Sequence, residues 1–204
     1  MIFLQAILFD LDGVLVDACE WHYEALNESL QEVVGFKISR KDHLSKYNGL
    51  PTKIKLNMLG LNQNDQDKVW KLKQEKTLEI ISKSTKQDNE KIILLEYLKK
   101  QNIKIGCVTN SIKITASKML EVSNLLPYID LLVTNENVEN NKPFPDCYNY
   151  AVHKLCVSPD MVMCVEDSNT GIKAAKNSVC KYLWIVKDPT EVTLNNYNLR
   201  VNSL

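Results

Sequence analysis

The sequence predicts an α/β protein: a parallel sheet of about five strands with helices on both faces, plus an inserted all-helical domain. Three observations carry this. Five short apolar runs are spread along the chain, and helix-spaced segments separate the last four of them. The interval between the first and second runs, roughly 70 residues, is far too long for an ordinary strand-to-helix connection. A chain of 204 residues is long enough for one full core carrying a smaller insert.

In chain order, Phe3–Phe9 is suited to a buried first strand and runs straight into Asp10. From Asp17 to Asp88 the apolar residues recur at helical intervals: Trp21, Ala25, Leu26, Leu30 and Val33, then Val69, Leu72 and Ile80. Gly60 reads as a helix stop, and Asn64 or Asp65 as the cap of the next helix. The spacing therefore predicts an all-helical cap domain over 17–88, standing at the end of the sheet, and a discontinuous core domain over 1–16 and 89–204. Ile92, Leu95 and Leu98 resume a helix that leads back into the core. Ile103–Val108, Leu131–Val133, Met161–Val165 and Tyr182–Val186 supply the other strands. Between them, Ile112, Ala116 and Leu120 share one helical face, Tyr148, Val152 and Leu155 another, and Lys173–Asn177 makes a shorter helix. This alternation is that of a Rossmann-like core. The polar tail after Pro189 carries no pattern that decides between extending the last core helix and fraying.

Composition narrows the function classes. Net formal charge is zero, which gives no basis for electrostatic capture of nucleic acid or of an anionic membrane. No apolar stretch approaches the roughly 18 residues of a membrane span. The segment MIFLQAILFD has no basic leader before Asp10. A soluble, cytoplasmic protein is expected, and with no heptad repeat a monomer. The cysteines at 19, 107, 147, 156, 164 and 180 form no CxxC pair, and His22, His43 and His153 complete no zinc pattern. All six thiols read as reduced and structural.

In an open parallel sheet, ligands bind beyond the carboxyl ends of the strands, so polar residues there are the informative ones. The first strand ends in Asp10-Leu11-Asp12-Gly13, the second in Val108-Thr109-Asn110-Ser111, and the fourth in Val165-Glu166-Asp167-Ser168. A polar loop after the third runs to Asn141-Lys142-Pro143-Phe144-Pro145. Alternation puts Asp10 and Asp12 on one side, and Gly13 allows a sharp turn after them. Were the four acids to meet without a cation, each close pair would repel by about 4 kcal/mol at an effective dielectric near 20. A hard divalent ion, Mg²⁺, removes that cost and prefers few carboxylates plus water and phosphate oxygens.

The chemistry that fits is phosphoryl transfer through an aspartyl-phosphate. Asp10 attacks; Asp12 protonates the leaving oxygen and later activates water. Thr109 and Asn110 hold phosphoryl oxygens. Lys142 steadies Asp10 and the developing charge. Asp167 ligates the metal with Asp10 and the Asp12 carbonyl oxygen, and Glu166 acts directly or through a metal-bound water.

DLDGV, VTNS, KPFPDCY and VEDSNTG, in that order after strands, resemble the haloacid dehalogenase (HAD) superfamily. Within it the chain looks like the phosphatase and β-phosphoglucomutase branch, which carries a helical cap after the first motif. A DxD motif alone is weak; four motifs in order with the insert in place are specific. The resemblance covers nearly the whole chain and is weakest in the cap. It implies the same roles for Asp10, Asp12, Thr109, Asn110, Lys142, Glu166 and Asp167. β-Phosphoglucomutases carry a threonine just after the Asp that ends the first motif and an arginine shortly after the cap-loop glycine. Those places here hold Ala18 and the Thr52-Lys53 region after Gly49. Lysine does not replace a bidentate arginine. Hydrolysis of a small phosphomonoester, such as a sugar phosphate, is thus favoured over a mutase.

Each residue also has a plainer reading. Asp10-Leu11-Asp12-Gly13 alone reads equally as a strand end and turn, and the other three motifs weigh against that reading. Ser111 reads as the cap of the following helix, and Ser168 and Asn169 as turn and cap residues. His22, beside Trp21 and Tyr23, is more often packing than chemistry, but it and Lys53 are the candidate substrate contacts in the cap. Asp17 reads as part of the hinge or of a helix start rather than of the metal site. A phospho-acceptor receiver would place its aspartate after the third strand and lack the insert, and a non-catalytic binding protein would not need the full set of acids, threonine and lysine.

Overall fold

Five strands form a single parallel sheet in the order β3-β2-β1-β4-β5: Ala6–Phe9 (β1), Lys104–Val108 (β2), Leu131–Val133 (β3), Val162–Glu166 (β4) and Tyr182–Ile185 (β5). The computed structural model describes residues 3–84 and 87–203. All four residues of β1 are buried, as a central strand covered on both faces requires. Ala6 and Leu8 face one core with Val162 and Cys164, completed by the helices Asp146–Leu155 and Asn169–Asn177.

The described residues divide into two compact units, one within Met1–Asp17 and Lys86–Leu204, the other within Ala18–Thr85. The second is helical: Cys19–Val34 (α1), Arg40–Asp42 (α2) running into a π-helical turn at His43–Tyr47, Thr52–Met58 (α3) and Gln63–Ser84 (α4). Its core joins Leu26 and Leu30 of α1, Ile38, Tyr47, Leu56 of α3 and Val69 of α4. The first unit adds Asn89–Lys100 (α5), Lys113–Val122 (α6), Asp146–Leu155 (α7), Asn169–Asn177 (α8) and Leu194–Asn202 (α9) to the sheet. No helix among the described residues is long and apolar enough to cross a membrane.

Four details differ from the sequence reading. The first strand begins at Ala6, because Phe3 is 75% exposed. Helix α4 is capped by Asn62, whose side-chain oxygen accepts from Asp65 N at 3.0 Å, and not by Asn64 or Asp65. Its buried row is Val69, Lys73, Thr77 and Ile81, not Val69, Leu72 and Ile80. A row stepping by four residues admits the lysine and threonine, which a search for apolar periodicity passes over. The tail forms α9, with Tyr197 buried and Arg200 donating to Leu183 O at 2.8 Å.

Candidate active site

The carboxyl ends of β1, β2 and β4 converge because those strands are neighbours in register. Asp10 follows β1 directly, and its N–H still donates to Val165 O at 3.0 Å. Its carboxylate meets Lys142: Nζ lies 2.7 Å from Asp10 Oδ1, 2.6 Å from Glu166 Oε1 and 2.8 Å from Val108 O. Three acceptors take all three ammonium protons. Lys142 itself is held by Asn110, whose carboxamide accepts from Lys142 N at 3.1 Å and donates to Lys142 O at 3.2 Å. The Asn110 side chain thus anchors the lysine loop, a role its phosphate-binding reading did not include.

One carboxylate oxygen each from Asp10, Glu166 and Asp167 lie within 4.8 Å of one another. Asp12 does not add its carboxylate to this group; the sequence reading assigned its carbonyl oxygen. Instead Asp12 Oδ2 accepts the Thr109 hydroxyl at 3.3 Å and the Ser111 hydroxyl at 3.0 Å. Ser111 is therefore not the cap of α6. The first N–H of that helix, on Lys113, donates to Glu136 Oε2 at 2.6 Å. Ser168 does cap α8, accepting from Gly171 N at 3.0 Å.

Two glycines explain the close approach. At Gly13, where φ is +92°, a Cβ would overlap Asp167 Oδ2, and at Gly171 it would overlap the Glu166 carboxylate. Both belong to the quoted motifs, and each leaves the space its acid occupies.

Four acids here face one ammonium. Burial raises the Asp10 carboxyl well above its usual range, with Lys142 opposing and Glu166, Asp12 and Asp167 adding to the rise. Asp167 is pushed up to about 6, first by burial and then by Glu166. Burial pulls Lys142 down, but the Asp10 and Glu166 charges overcome it and leave its pKa above the usual lysine value. Asp167 Oδ1 is buried with no hydrogen-bond partner among the described residues. An excess of carboxylates and an orphaned oxygen fit a hard cation such as Mg²⁺ held by Asp10, Glu166 and Asp167.

In the helical unit, His22 Nδ1 lies 3.1 Å from Lys73 Nζ. Lys73 and Lys55 are both buried, as is His43. The sequence reading missed Lys73, whose signal was its place on the Val69–Ile81 row. Lys53 is exposed, with its ammonium 5.9 Å from the Trp70 ring. Arg40 pairs with Glu20 and stacks over Tyr23.

The family model for haloacid dehalogenase-like hydrolases matches residues 7–185. A phosphorylated carbohydrates phosphatase of Thermotoga maritima is 29% identical over 178 residues, covering 86% of this chain and 82% of the relative. The β-phosphoglucomutase of Bacillus subtilis is 30% identical over 190 residues, covering 86% and 80%. A β-phosphoglucomutase structure from Clostridium difficile superposes with a TM-score of 0.84 at 21% identity, covering 98% of each chain, and so shares the fold. The chain belongs to the haloacid dehalogenase-like hydrolase family.

Proposed function

We propose that the protein is a Mg²⁺-dependent phosphatase that hydrolyses a small phosphomonoester through an aspartyl-phosphate on Asp10. The observation that carries this is the division of labour between two aspartates. Asp10 is fixed through Oδ1 by Lys142, and Asp12 is held through Oδ2 by two hydroxyls. Asp10 attacks phosphorus through Oδ2, and the bond to the leaving oxygen breaks as Asp12 gives that oxygen its proton. Asp12, now a carboxylate, takes a proton from water, which attacks the phosphorus and releases phosphate and Asp10.

Lys142 screens Asp10 and Glu166 from each other and holds the nucleophile at one angle. A bound Mg²⁺ supplies charge neutralisation between the acids and the phosphoryl oxygens. Asp10, Glu166 and Asp167 would hold it, with the Asp12 carbonyl. Thr109, which lies at the end of β2 beside Asp12, and the Asn110 backbone would receive phosphoryl oxygens.

A phosphosugar mutase is the second reading, favoured by the relatives named for that activity. The cap argues for hydrolysis. Arg40 is the one arginine between residues 18 and 84, and it is engaged by Glu20 and Tyr23. The test is phosphate release from a panel of sugar phosphates and an aryl phosphate, with and without Mg²⁺. Metal-dependent release that vanishes in Asp10→Asn supports the reading. Undiminished release by Asp10→Asn refutes it. Conversion of β-glucose 1-phosphate to glucose 6-phosphate in the presence of a bisphosphate would favour the mutase.

A further inference from the structure

Tyr148 sits in the first turns of α7, fully buried, with its ring in the core beneath the sheet beside Ala6, Leu8 and Cys164. A phenylalanine would fill that volume. A buried phenol needs an acceptor, and this one donates to Glu166 Oε1 at 2.6 Å, the length of a charge-assisted O–H···O⁻ bond. The same Glu166 oxygen takes the Lys142 ammonium, which also lies 5.0 Å from the Tyr148 ring centre. Glu166 Oε2 has a much weaker contact, the Ser168 hydroxyl at 3.5 Å.

We propose that Tyr148 is a positioning residue for the metal site, fixing Glu166 so that Oε1 is spent on the protein and Oε2 is turned to the cation. This rests on the metal-dependent reading above. Rotating the carboxylate would break two short bonds to Oε1 at once, one from Tyr148 and one from Lys142. The missing Cβ at Gly171 closes the arrangement, because the glutamate side chain fills that space. Three elements thus grip one carboxylate: the loop before α7 through Lys142, α7 through Tyr148, and α8 through Gly171. Partners that orient a ligand in this way typically change metal affinity about 10–100-fold when removed.

The test measures Mn²⁺ uptake by the substrate-free protein, from the electron paramagnetic resonance signal of the free ion. Tyr148→Phe keeps the ring and removes only the hydroxyl. Its Mn²⁺ dissociation constant should rise about tenfold or more, while KM for a phosphomonoester at saturating metal stays at the wild-type value. Unchanged affinity in Tyr148→Phe overturns the proposal. Glu166→Gln, alone and combined with Tyr148→Phe, provides a second check. If Tyr148 acts through Glu166, adding Tyr148→Phe to Glu166→Gln changes affinity no further; fully additive losses overturn the proposal. A wild type that takes up no Mn²⁺ overturns the metal site itself and the inference with it, an outcome distinct from the other two.

Discussion

Ser111 donates its hydroxyl to Asp12 Oδ2 at 3.0 Å, so the residue two places beyond Thr109 holds the proposed general acid. Thr109 donates to the same oxygen from 3.3 Å and also accepts the Ser111 N–H at 3.0 Å. The two hydroxyls and Asp12 therefore form a closed set in which each fixes another. A hydrogen bond to a charged group contributes about 1.5–3 kcal/mol. Ser111→Ala should lower kcat by roughly tenfold with little change in KM, measured by steady-state phosphate release. A variant with wild-type kcat would show that the Ser111 hydroxyl does not position Asp12.

Much of this site was legible in the sequence, because its acids follow apolar runs that could only be strands. Asp10 after Phe9 and Glu166 after Val165 are read from that junction alone, and Lys142 from its place in a proline-flanked loop. What was not legible depends on side-chain direction. Ser111 stands where a helix cap is common, yet Glu136, 25 residues later, meets the helix start. Asn110 reads only as a phosphate ligand, and spacing gives no sign that its carboxamide spans the Lys142 backbone. Tyr148 reads as core, and is core; only its hydroxyl does more. In the helical unit, apart from that site, Lys73 was hidden because a buried lysine leaves a gap in an apolar pattern.

Lys142 is the sole ammonium bonded to both Asp10 and Glu166 among the described residues. Removing one partner of a buried charge cluster leaves the others uncompensated, at about 3–5 kcal/mol. Lys142→Met should therefore abolish turnover and lower the unfolding midpoint in urea. Arginine should not rescue it, because three acceptors converge on one nitrogen. A stable, active Lys142→Met variant would contradict the geometry.

Gly171 and Gly35 make a controlled pair. A methyl group at Gly171 would overlap the Glu166 carboxylate, which Lys142 and Tyr148 pin in place. At Gly35 no atom of the described residues lies within 4 Å of an added Cβ, and only the φ of +76° opposes a side chain. Gly35→Ala should cost about 1–2 kcal/mol. Gly171→Ala should cost more and weaken metal binding as well. Chemical denaturation of both variants, with and without Mg²⁺, separates the two effects.

Asp167 gives the unloaded protein a pH dependence with a definite sign. Its folded-state pKa is raised from 3.8 to about 6, so the folded state binds more protons than the unfolded chain between those values. Its contribution is full below pH 3.8 and lost as pH rises through about 6. The thermal midpoint of the metal-free protein should carry a falling component across that window, which Asp167→Asn removes. Mg²⁺ competes with the same proton, so the stabilisation it confers should grow as pH rises through the window. A Mg²⁺ effect independent of pH would separate Asp167 from the ion.

His43 imposes the opposite slope on the helical unit. Burial, then the charges of Lys55, His22, Arg40 and Lys73, lower its pKa from 6.5 to about 4. The imidazole is 1% exposed, and its Nε2 has no hydrogen-bond partner among the described residues. The folded state therefore keeps it neutral where the unfolded chain would protonate it. Its contribution is full above pH 6.5 and is lost as pH falls toward about 4, with a limiting slope of about 1.4 kcal/mol per pH unit. Because Asp167 acts in an overlapping window with the opposite sign, the two must be separated by substitution. His43→Gln should raise stability at pH 5 relative to its stability at pH 8, judged by urea unfolding followed by circular dichroism. Making the same comparison in the Asp167→Asn background removes the Asp167 contribution and leaves the His43 difference to be read by itself. Equal pH profiles for the wild type and His43→Gln would mean that His43 is protonated in the folded protein, with one of its neighbours giving up its charge instead.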